Sequence, residues 1–267
     1  MKNTRTLISG LALVVGLAAG AVAADSIVLP TTPVADTPTP AQRGNTGWYF
    51  KGFLGNTNYS ADAFSRDAGN LPGLQTFNLS QTFDSSGFAG IGIGYRATKW
   101  LRLDVTGEYR GKATLNGLFY TYYPLTSVLG TFEYTASLKS QVWLANVYGD
   151  IGHWHGFTPY VGGGIGFAQN TMGDFSDLGV NTVVAAPGYV ASASAKSESN
   201  FAWALHAGVA YDVTPDFTVD FAYRFLNLGQ AQSGLVQDST GNSHPSFHFD
   251  DLRSNDLMLG FRCKFGR

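Results

Sequence analysis

Charged side chains of both signs lie two or four positions apart in several segments of this 267-residue chain. In the clearest segment, Arg102, Asp104, Glu108 and Arg110 are all separated by even numbers of residues. Residues that alternate in this way share one face of a β-strand. A row of mixed signs can neutralise itself through ion pairs, whereas acid–base catalysis needs a nucleophile beside a titrating group. The spacing therefore favours an ion-pair network over a catalytic site.

Two histidine pairs have a spacing that could bind a metal ion. His153 and His155 show the His-x-His spacing of adjacent ligands, and His244 and His248 lie close together in a later segment. Most isolated histidine pairs in loops are solvated, and a stable metal site needs further ligands. We therefore predict no metal site and no cofactor.

Enzyme chemistry has little support in the sequence. The glycines within 90–94 and 162–166 do not complete the G-x-G-x-x-G pattern, so we interpret them as small strand residues rather than a nucleotide loop. Serine, histidine and aspartate form no recognisable nucleophile motif. The chain is therefore not expected to be an enzyme.

The composition narrows the class of protein. Lysine and arginine total 17 against 19 aspartate and glutamate, and a net charge of −2 gives no electrostatic case for a nucleic-acid partner. Charged residues make up 13% of the chain, about half of the roughly 25% that is usual for soluble domains. With 44% hydrophobic residues the chain can bury a core, while its 33 glycines and 14% aromatic residues disfavour long helices.

The N-terminal segment has the pattern of an export signal. A basic start precedes an uncharged run over 7–24, and 21–23 fits the A-x-A cleavage pattern. We therefore expect residues 1–23 to be a signal peptide rather than a transmembrane helix. Residues 24–46 are rich in proline and threonine, which indicates a flexible periplasmic linker, with a proline-rich docking peptide as the alternative.

After residue 46 the periodicity is that of β-strands. Four segments alternate strictly between apolar and polar positions: 100–110, 200–212, 217–225 and 256–265. Four more segments fit this pattern less cleanly: 47–55, 87–96, 139–151 and 157–168. The total is about eight strands with a mean length of about ten to twelve residues, which suits tilted membrane strands better than soluble ones.

The connections between these strands alternate in length. Short links lie at 97–99, 152–156 and 213–216. Long polar or aromatic segments lie at 56–86, 112–138, 169–198 and 228–250. This alternation is typical of a barrel with both termini in the periplasm. We therefore predict an all-β fold, an up-and-down antiparallel transmembrane β-barrel over 47–267 with short periplasmic turns and long extracellular loops.

A soluble eight-stranded barrel would show the same alternation, with its apolar face lining a ligand cavity. Two observations favour the membrane. The low charge content is expected when the outer wall faces hydrocarbon. Aromatic residues such as Trp48, Trp100, Trp203 and Phe265 lie near the ends of the apolar faces, where amphipathic rings settle at headgroup level. The predicted location is therefore the outer membrane of a Gram-negative cell.

Several segments carry a family resemblance. The stretches 200–215, 220–229, 157–164 and 100–104 are similar to the small outer-membrane β-barrel proteins of alphaproteobacteria, relatives of opacity-type porins and of the OmpA transmembrane domain. The resemblance extends over about residues 47–265. It implies a membrane barrel, and the aromatic at Phe265 resembles a barrel-assembly signal, although two residues follow it here.

In a barrel of this size the charged positions face the interior, which is just wide enough for side chains. Its charges should therefore pair and fill it, because a buried unpaired charge is costly. Asp220 and Arg224 share a face four positions apart and are expected to be partners. A narrow selective channel is the alternative. The residues predicted to form this lumen ion network are Arg102, Asp104, Glu108, Arg110, Asp150, Asp212, Asp220, Arg224, Asp256, Arg262 and Lys264.

Three functions are compatible with these features. The first is a structural and surface-interaction barrel with loops exposed outside the cell, and the second is a small passive channel. The third is a loop-based receptor for haem or another ligand, which the family resemblance implies. The expected partners are outer-membrane lipid and lipopolysaccharide, the barrel-assembly machinery, and a host or environmental ligand bound by the loops.

Overall fold

The structure, a computed structural model, describes residues 46–61, 63–66, 75–123, 128–182, 190–244 and 246–265. The predicted signal peptide and almost all of the predicted linker lie outside these residues. In this part of the chain no helix is long and apolar enough to cross a membrane. The strands, in chain order, are β1 (Gly47–Ser60), β2 (Ala63–Arg66), β3 (Gln75–Phe83), β4 (Ser86–Arg96), β5 (Leu101–Tyr123), β6 (Val128–Asp150), β7 (Phe157–Thr182), β8 (Val190–Ala193), β9 (Lys196–Asp212), β10 (Phe217–Gln232), β11 (Val236–Asp238), β12 (Ser243–His244) and β13 (Phe247–Phe265).

Eight of these strands pair in an unbroken antiparallel ring. The order around the ring is β1, β4, β5, β6, β7, β9, β10 and β13, and β13 pairs again with β1. Along this closing seam Trp48 lies opposite Phe265 and Ser60 lies opposite Arg253. The predicted up-and-down barrel of about eight strands is confirmed.

Two of the short turns between ring strands are held by the same contact. Thr98 Oγ1 accepts a hydrogen bond from the backbone N–H of Leu101 at 2.9 Å, and Thr214 Oγ1 accepts one from Phe217 at 3.0 Å. A threonine that bonds the backbone a few residues ahead stabilises a tight turn. Both turns lie at the same end of the barrel as the first residues of β1 and the last residues of β13. In the predicted topology this is the periplasmic end.

The outer wall carries an apolar belt. Ile91 and Phe201 are 76% and 65% exposed, and Leu103 and Leu257 also point outward. Outward-facing aromatic rings cluster at both edges of the belt, as in membrane barrels with an apolar band of about 25 Å. The rings at the periplasmic edge are Trp48, Tyr95, Trp100, Phe157, Tyr211 and Phe265, and those at the opposite edge are Tyr109, Trp143, Phe167, Trp203 and Tyr223.

Most ring strands continue well beyond the belt. β5 and β6 each run for 23 residues and β7 for 26, which is longer than predicted. The segments predicted as long loops are therefore largely strand, and the short strands β2, β3, β8, β11 and β12 pair with or beside them. We call this region the extracellular extension and define it as the described residues of 58–86, 112–141, 169–199 and 227–255.

A β-bulge exchanges the two faces of β5 as the strand leaves the belt. The odd-numbered positions from Leu103 to Phe119 are apolar or glycine throughout. Below the bulge Leu103 and Tyr109 are exposed on the outer wall, and above it Leu115 and Phe119 are fully buried in the interior. The pairing of β5 with β6 shifts register between 110 and 113. Because a one-residue slip exchanges the faces of a strand, apolar side chains point outward in the membrane and inward above it.

The same exchange occurs on other strands at a similar height. On β13, Leu257 faces outward and Phe249 faces inward, although both are odd-numbered, and Asp251 between them has a φ of 50°. On β10, Gly229 has a φ of 79°, and a Cβ there would lie 2.5 Å from the Asn200 side chain. Only glycine fits that position. β7 also shifts register as it leaves the belt.

The interior of the extracellular extension is mainly apolar. Six aromatic side chains pack together there, each at most 3% exposed. Phe119 and Phe132 stack with ring centroids 5.1 Å apart, and Phe175 and Phe247 lie 4.6 Å apart. We call this group the aromatic core, and its members are Phe119, Phe132, Tyr134, Phe175, Phe247 and Phe249. Apolar side chains therefore dominate the barrel interior above the belt, although a few polar ones such as Asp177 and Asn170 are also buried there.

The belt and the bulge on β5 can be tested together. Leu103→Arg should lower the free energy of unfolding in lipid vesicles by about 2–4 kcal/mol, because it places a charge on the lipid-facing wall. Thr114→Arg is the matched control on the same strand and should change it by less than about 0.5 kcal/mol, because the bulge turns this position outward into water. A large loss for Thr114→Arg would place it in the interior and contradict the exchange of faces.

Candidate functional site

The inward-facing positions of the ring strands bring most of the predicted network residues together at belt level. Nine of the eleven have side chains that are at most 6% exposed. They come from strands that are distant in sequence but adjacent or opposite around the ring. Strand alternation alone accounts for their inward orientation, because every second side chain of a barrel strand points into the lumen.

Two arginines and two carboxylates form a closed square near the upper edge of the belt. Arg110 lies 2.9 Å from Glu108 and 2.7 Å from Asp256, and Arg224 lies 2.7 Å from each of the same two carboxylates. We call these four residues the central quartet. Each member contacts two partners of opposite sign, so the quartet has no net charge. Its geometry offsets the desolvation cost that an isolated charge would carry in this interior.

The remaining donors of the central quartet also find partners. Arg110 Nε donates to the Tyr59 hydroxyl at 2.9 Å, and Arg110 Nη2 donates to Thr57 Oγ1 and to Ser254 Oγ. Both guanidinium groups lie over the ring of Phe88, at 4.9 and 5.2 Å from its centroid. An arginine presents five N–H donors in a fixed fork, so this set of acceptors holds Arg110 in one orientation.

Two further neutral pairs lie closer to the periplasmic end. Lys51 Nζ is 3.2 Å from Asp104, and Arg262 donates to both carboxylate oxygens of Asp220 at 2.8 and 3.0 Å. The second oxygen of Asp104 accepts a hydrogen bond from Asn146 Nδ2 at 2.7 Å. Each pair is thus neutralised locally, as in the central quartet.

Asp150 at the periplasmic mouth contacts two arginines. Arg102 lies 2.7 Å from its carboxylate and Arg96 lies 3.1 Å from it. The Arg102 guanidinium also lies over the rings of Tyr148 and Tyr160, 5.0 and 4.7 Å from their centroids. The excess positive charge falls on the arginine nearer to water, since the Arg96 side chain is 20% exposed.

Two predicted residues lie outside the buried network. Asp212 is 37% exposed and accepts a hydrogen bond from Thr218 Oγ1 at 2.6 Å. Lys264 is exposed and donates to the Pro215 carbonyl at 2.9 Å. Both residues lie at the periplasmic ends of their strands, where water reaches the inner face and a charge needs no ion-pair partner.

The expected partnership of Asp220 with Arg224 is wrong. Residues four apart on one strand are separated by about 13 Å along it, whereas residues opposite each other on neighbouring strands are about 5 Å apart. Arg224 lies directly opposite Asp256 on β13 and pairs with it. Asp220 pairs instead with Arg262 of β13.

Three network residues were missed from the sequence. Lys51 was hidden because Phe50 and its neighbours make both faces of β1 aromatic, so the strand shows no clean alternation. Arg96 follows a glycine-rich strand with few charges to reveal its face. His206 lies on the inward face of β9, with Nε2 3.2 Å from Asn146 Oδ1, and its place opposite the apolar positions of that strand was a usable signal.

The histidine pairs considered as metal sites lie apart from this network. His153 Nδ1 is 2.9 Å from Thr158 Oγ1. His244 Nε2 contacts Asp238 at 3.0 Å, and hydrogen bonds from Thr240 and His244 hold the pKa of the Asp238 carboxyl below its usual range. In the part of the chain that the structure describes, no group of three or more histidine, cysteine or acidic residues is placed to hold a metal ion.

Comparison with known proteins identifies the family. The family model of the outer membrane protein beta-barrel domain matches residues 9–265. The chain belongs to this family. An uncharacterized protein of Brucella melitensis is 30% identical over 270 residues, which cover 91% of this chain and 92% of that protein. The localisation in the outer membrane follows from the family and agrees with the apolar belt.

Two other relatives of this outer-membrane barrel are named as an outer-membrane protein and as an adhesin. Outer membrane protein PagN of Salmonella typhimurium is 31% identical over 134 residues, which cover 48% of this chain and 53% of PagN. A candidate adhesin of Rickettsia bellii is 26% identical over 228 residues, which cover 83% of this chain and 90% of that protein.

The central quartet of this outer-membrane barrel can be tested by truncation. Arg224→Ala should lower the free energy of unfolding in vesicles by about 3–5 kcal/mol, because it leaves the carboxylates of Glu108 and Asp256 short of a buried partner. Adding Glu108→Gln should recover part of that loss, with a coupling energy of about 1–3 kcal/mol in a double-mutant cycle.

Asp220→Asn provides the matched control for this cycle. It lies on the same strand as Arg224 but pairs with Arg262, so its effect should add to that of Arg224→Ala within about 0.5 kcal/mol. If Asp220 coupled to Arg224 as strongly as Glu108 does, the separation of the network into local neutral groups would be refuted.

Proposed function

We propose that this outer-membrane barrel is a closed, non-enzymatic platform that presents the extracellular extension for binding at the cell surface. The observation that carries the proposal is the filled interior, with the central quartet at belt level and the aromatic core above it. The proposal includes outer-membrane lipid and the barrel-assembly machinery as partners of the barrel, and a host or environmental molecule as the partner of the extension.

The filled interior argues against conduction. An ion that crossed the barrel would have to separate the paired charges of the central quartet, whose members are at most 2% exposed. It would then have to pass the aromatic core, where a hydrophobic constriction excludes ions because it excludes their water. Both obstacles lie on one path, so the small passive channel is the less supported function.

The extracellular extension has the features of a binding platform. Its strands pair with their neighbours over most of their length, and its interior is packed with aromatic rings. Recognition sites on rigid strands are positioned more accurately than sites on mobile loops. The outward-facing positions are largely polar, among them Asn116 and Glu133. The name of the Rickettsia bellii relative supports an adhesive role for this surface.

Planar-bilayer recording tests whether the barrel is closed. The refolded full chain should insert without producing steady single-channel steps at about 100 mV, because the paired charges and the aromatic core block the path. A porin recorded in the same bilayers shows that currents can be detected. Large and steady steps from the wild-type protein would contradict the closed barrel and favour the channel.

Surface display tests the binding role of the extension. Leu115 and Ala136 are paired across β5 and β6, so a variant that replaces 116–135 by an Asn-Gly turn removes the outer part of this hairpin. Cells that display this variant should attach to host cells or matrix less than cells that display the full chain. Lys99→Gln, in a periplasmic turn, is the control and should attach normally. Equal attachment by the folded, shortened variant would exclude the hairpin from binding.

A further inference from the structure

A cavity of about 410 Å³ opens on the outer surface of the extracellular extension, close above the belt. β6, β7, β8 and the segment that joins β8 to β9 enclose it. Hydroxyl groups, one ammonium group, one carboxylate and small apolar side chains make up its wall. The lining residues that could contact a ligand are Ser137, Lys139, Thr171, Asp174, Ser192 and Ala195.

The bulge on β7 forms this cavity. Asp174 has a φ of 49°, and its carboxylate accepts a hydrogen bond from Ser137 Oγ at 2.9 Å. The next residue, Phe175, turns inward and joins the aromatic core. Because Asp174 points outward and the next side chain, Phe175, points inward, a depression remains between β7 and the chain beyond β8.

One lysine lines the cavity, and a second lies beside it in contact with Asp174. Lys139 is exposed, and no carboxylate of the described residues lies within ion-pair distance of it. Lys112 is half exposed and lies 2.9 Å from Asp174, which holds it at the rim. Lys139 lies opposite Thr171, whose hydroxyl is 2.8 Å from that of Ser197. Cationic groups and hydroxyl donors therefore stand side by side across three strands.

The height of this site relative to the membrane is set by the aromatic rings below it. Trp143 and Phe167 stack at the upper edge of the belt, with ring centroids 4.9 Å apart. Lys139 and Thr171 lie four positions further along the same two strands, about 13 Å along the strand direction. Such rings settle at headgroup level, and a lysine side chain can reach back toward the interface. The ammonium groups therefore lie in the headgroup layer of the outer leaflet.

We propose that Lys112, Lys139 and the cavity beside them bind the phosphorylated saccharide headgroup of lipopolysaccharide in the outer leaflet. A phosphate would contact the two ammonium groups, and sugar hydroxyls would bond Ser137, Thr171 and the carboxylate of Asp174. The cavity has room for a sugar ring, and its place in the headgroup layer favours a lipid-borne saccharide over a free one. This site is distinct from any surface with which the outer part of the extension binds a partner.

The test is a titration of the full-chain protein, folded in detergent micelles, with lipid A that carries both phosphates. Lys139→Gln and Lys112→Gln should each weaken binding about fivefold, because this is the affinity that one lysine near an anionic membrane surface typically contributes. The double variant should bind lipid A no better than the wild type binds enzymatically dephosphorylated lipid A. Lys99→Gln, at the periplasmic end, is the matched control and should bind as the wild type does.

A charge-neutral variant tests the cavity separately from the lysines. Ala195→Phe should fill the cavity and weaken binding of lipid A while both lysines remain. Electrophoretic mobility before and after heating shows that each variant is folded. Unchanged affinity in the folded double lysine variant, or an equal loss for Lys99→Gln, would overturn the proposal. Inorganic phosphate that competed with lipid A at similar concentrations would assign the site to a free anion and would also overturn it.

Discussion

The mutual neutralisation of charges inside the barrel is the interaction on which the rest of the structure depends. At belt level the outer face must be apolar, so strand alternation directs the polar side chains into a lumen just wide enough to hold them. The central quartet satisfies this constraint by joining three strands, and Glu108 and Arg224 are 116 residues apart in sequence. The network is therefore complete only when the ring has closed, so closure of the barrel and burial of its charges stabilise each other.

The bulges let one alternating pattern serve two environments. On β5 the apolar positions keep the same phase in sequence from Leu103 to Phe119, yet they face outward at one end and inward at the other. A single extra residue near 111 exchanges the faces where the strand passes from lipid to water. Phe249 and Leu257 show the same exchange on β13. Without it, the aromatic side chains of the extension would face water.

The sequence predicts the features that depend on periodicity and not those that depend on register. The strict alternation of 100–110 and 256–265 predicts strands, their faces and the inward orientation of Arg110 and Asp256. It cannot predict which charges pair, because pairing depends on how neighbouring strands are aligned, and Arg224 contacts Asp256 rather than Asp220 for that reason. The bulges have no sequence signal beyond glycine and short polar residues, so the sequence predicts loops where the extension forms strands.

The interior is stabilised by ion pairs within the belt and by apolar burial above it, because the outer face meets lipid in one region and water in the other. Within the belt, an apolar side chain gains little by leaving lipid for the lumen, and strands apolar on both faces would resemble the long apolar runs of membrane helices. A polar lumen follows, and it is stable because its charges are paired. Above the belt the outer face meets water, so apolar burial again yields a large gain in free energy. The aromatic core stabilises the extension by that gain. The surface beyond the membrane is therefore rigid without an intramolecular disulfide, which a chain with the single cysteine Cys263 cannot form.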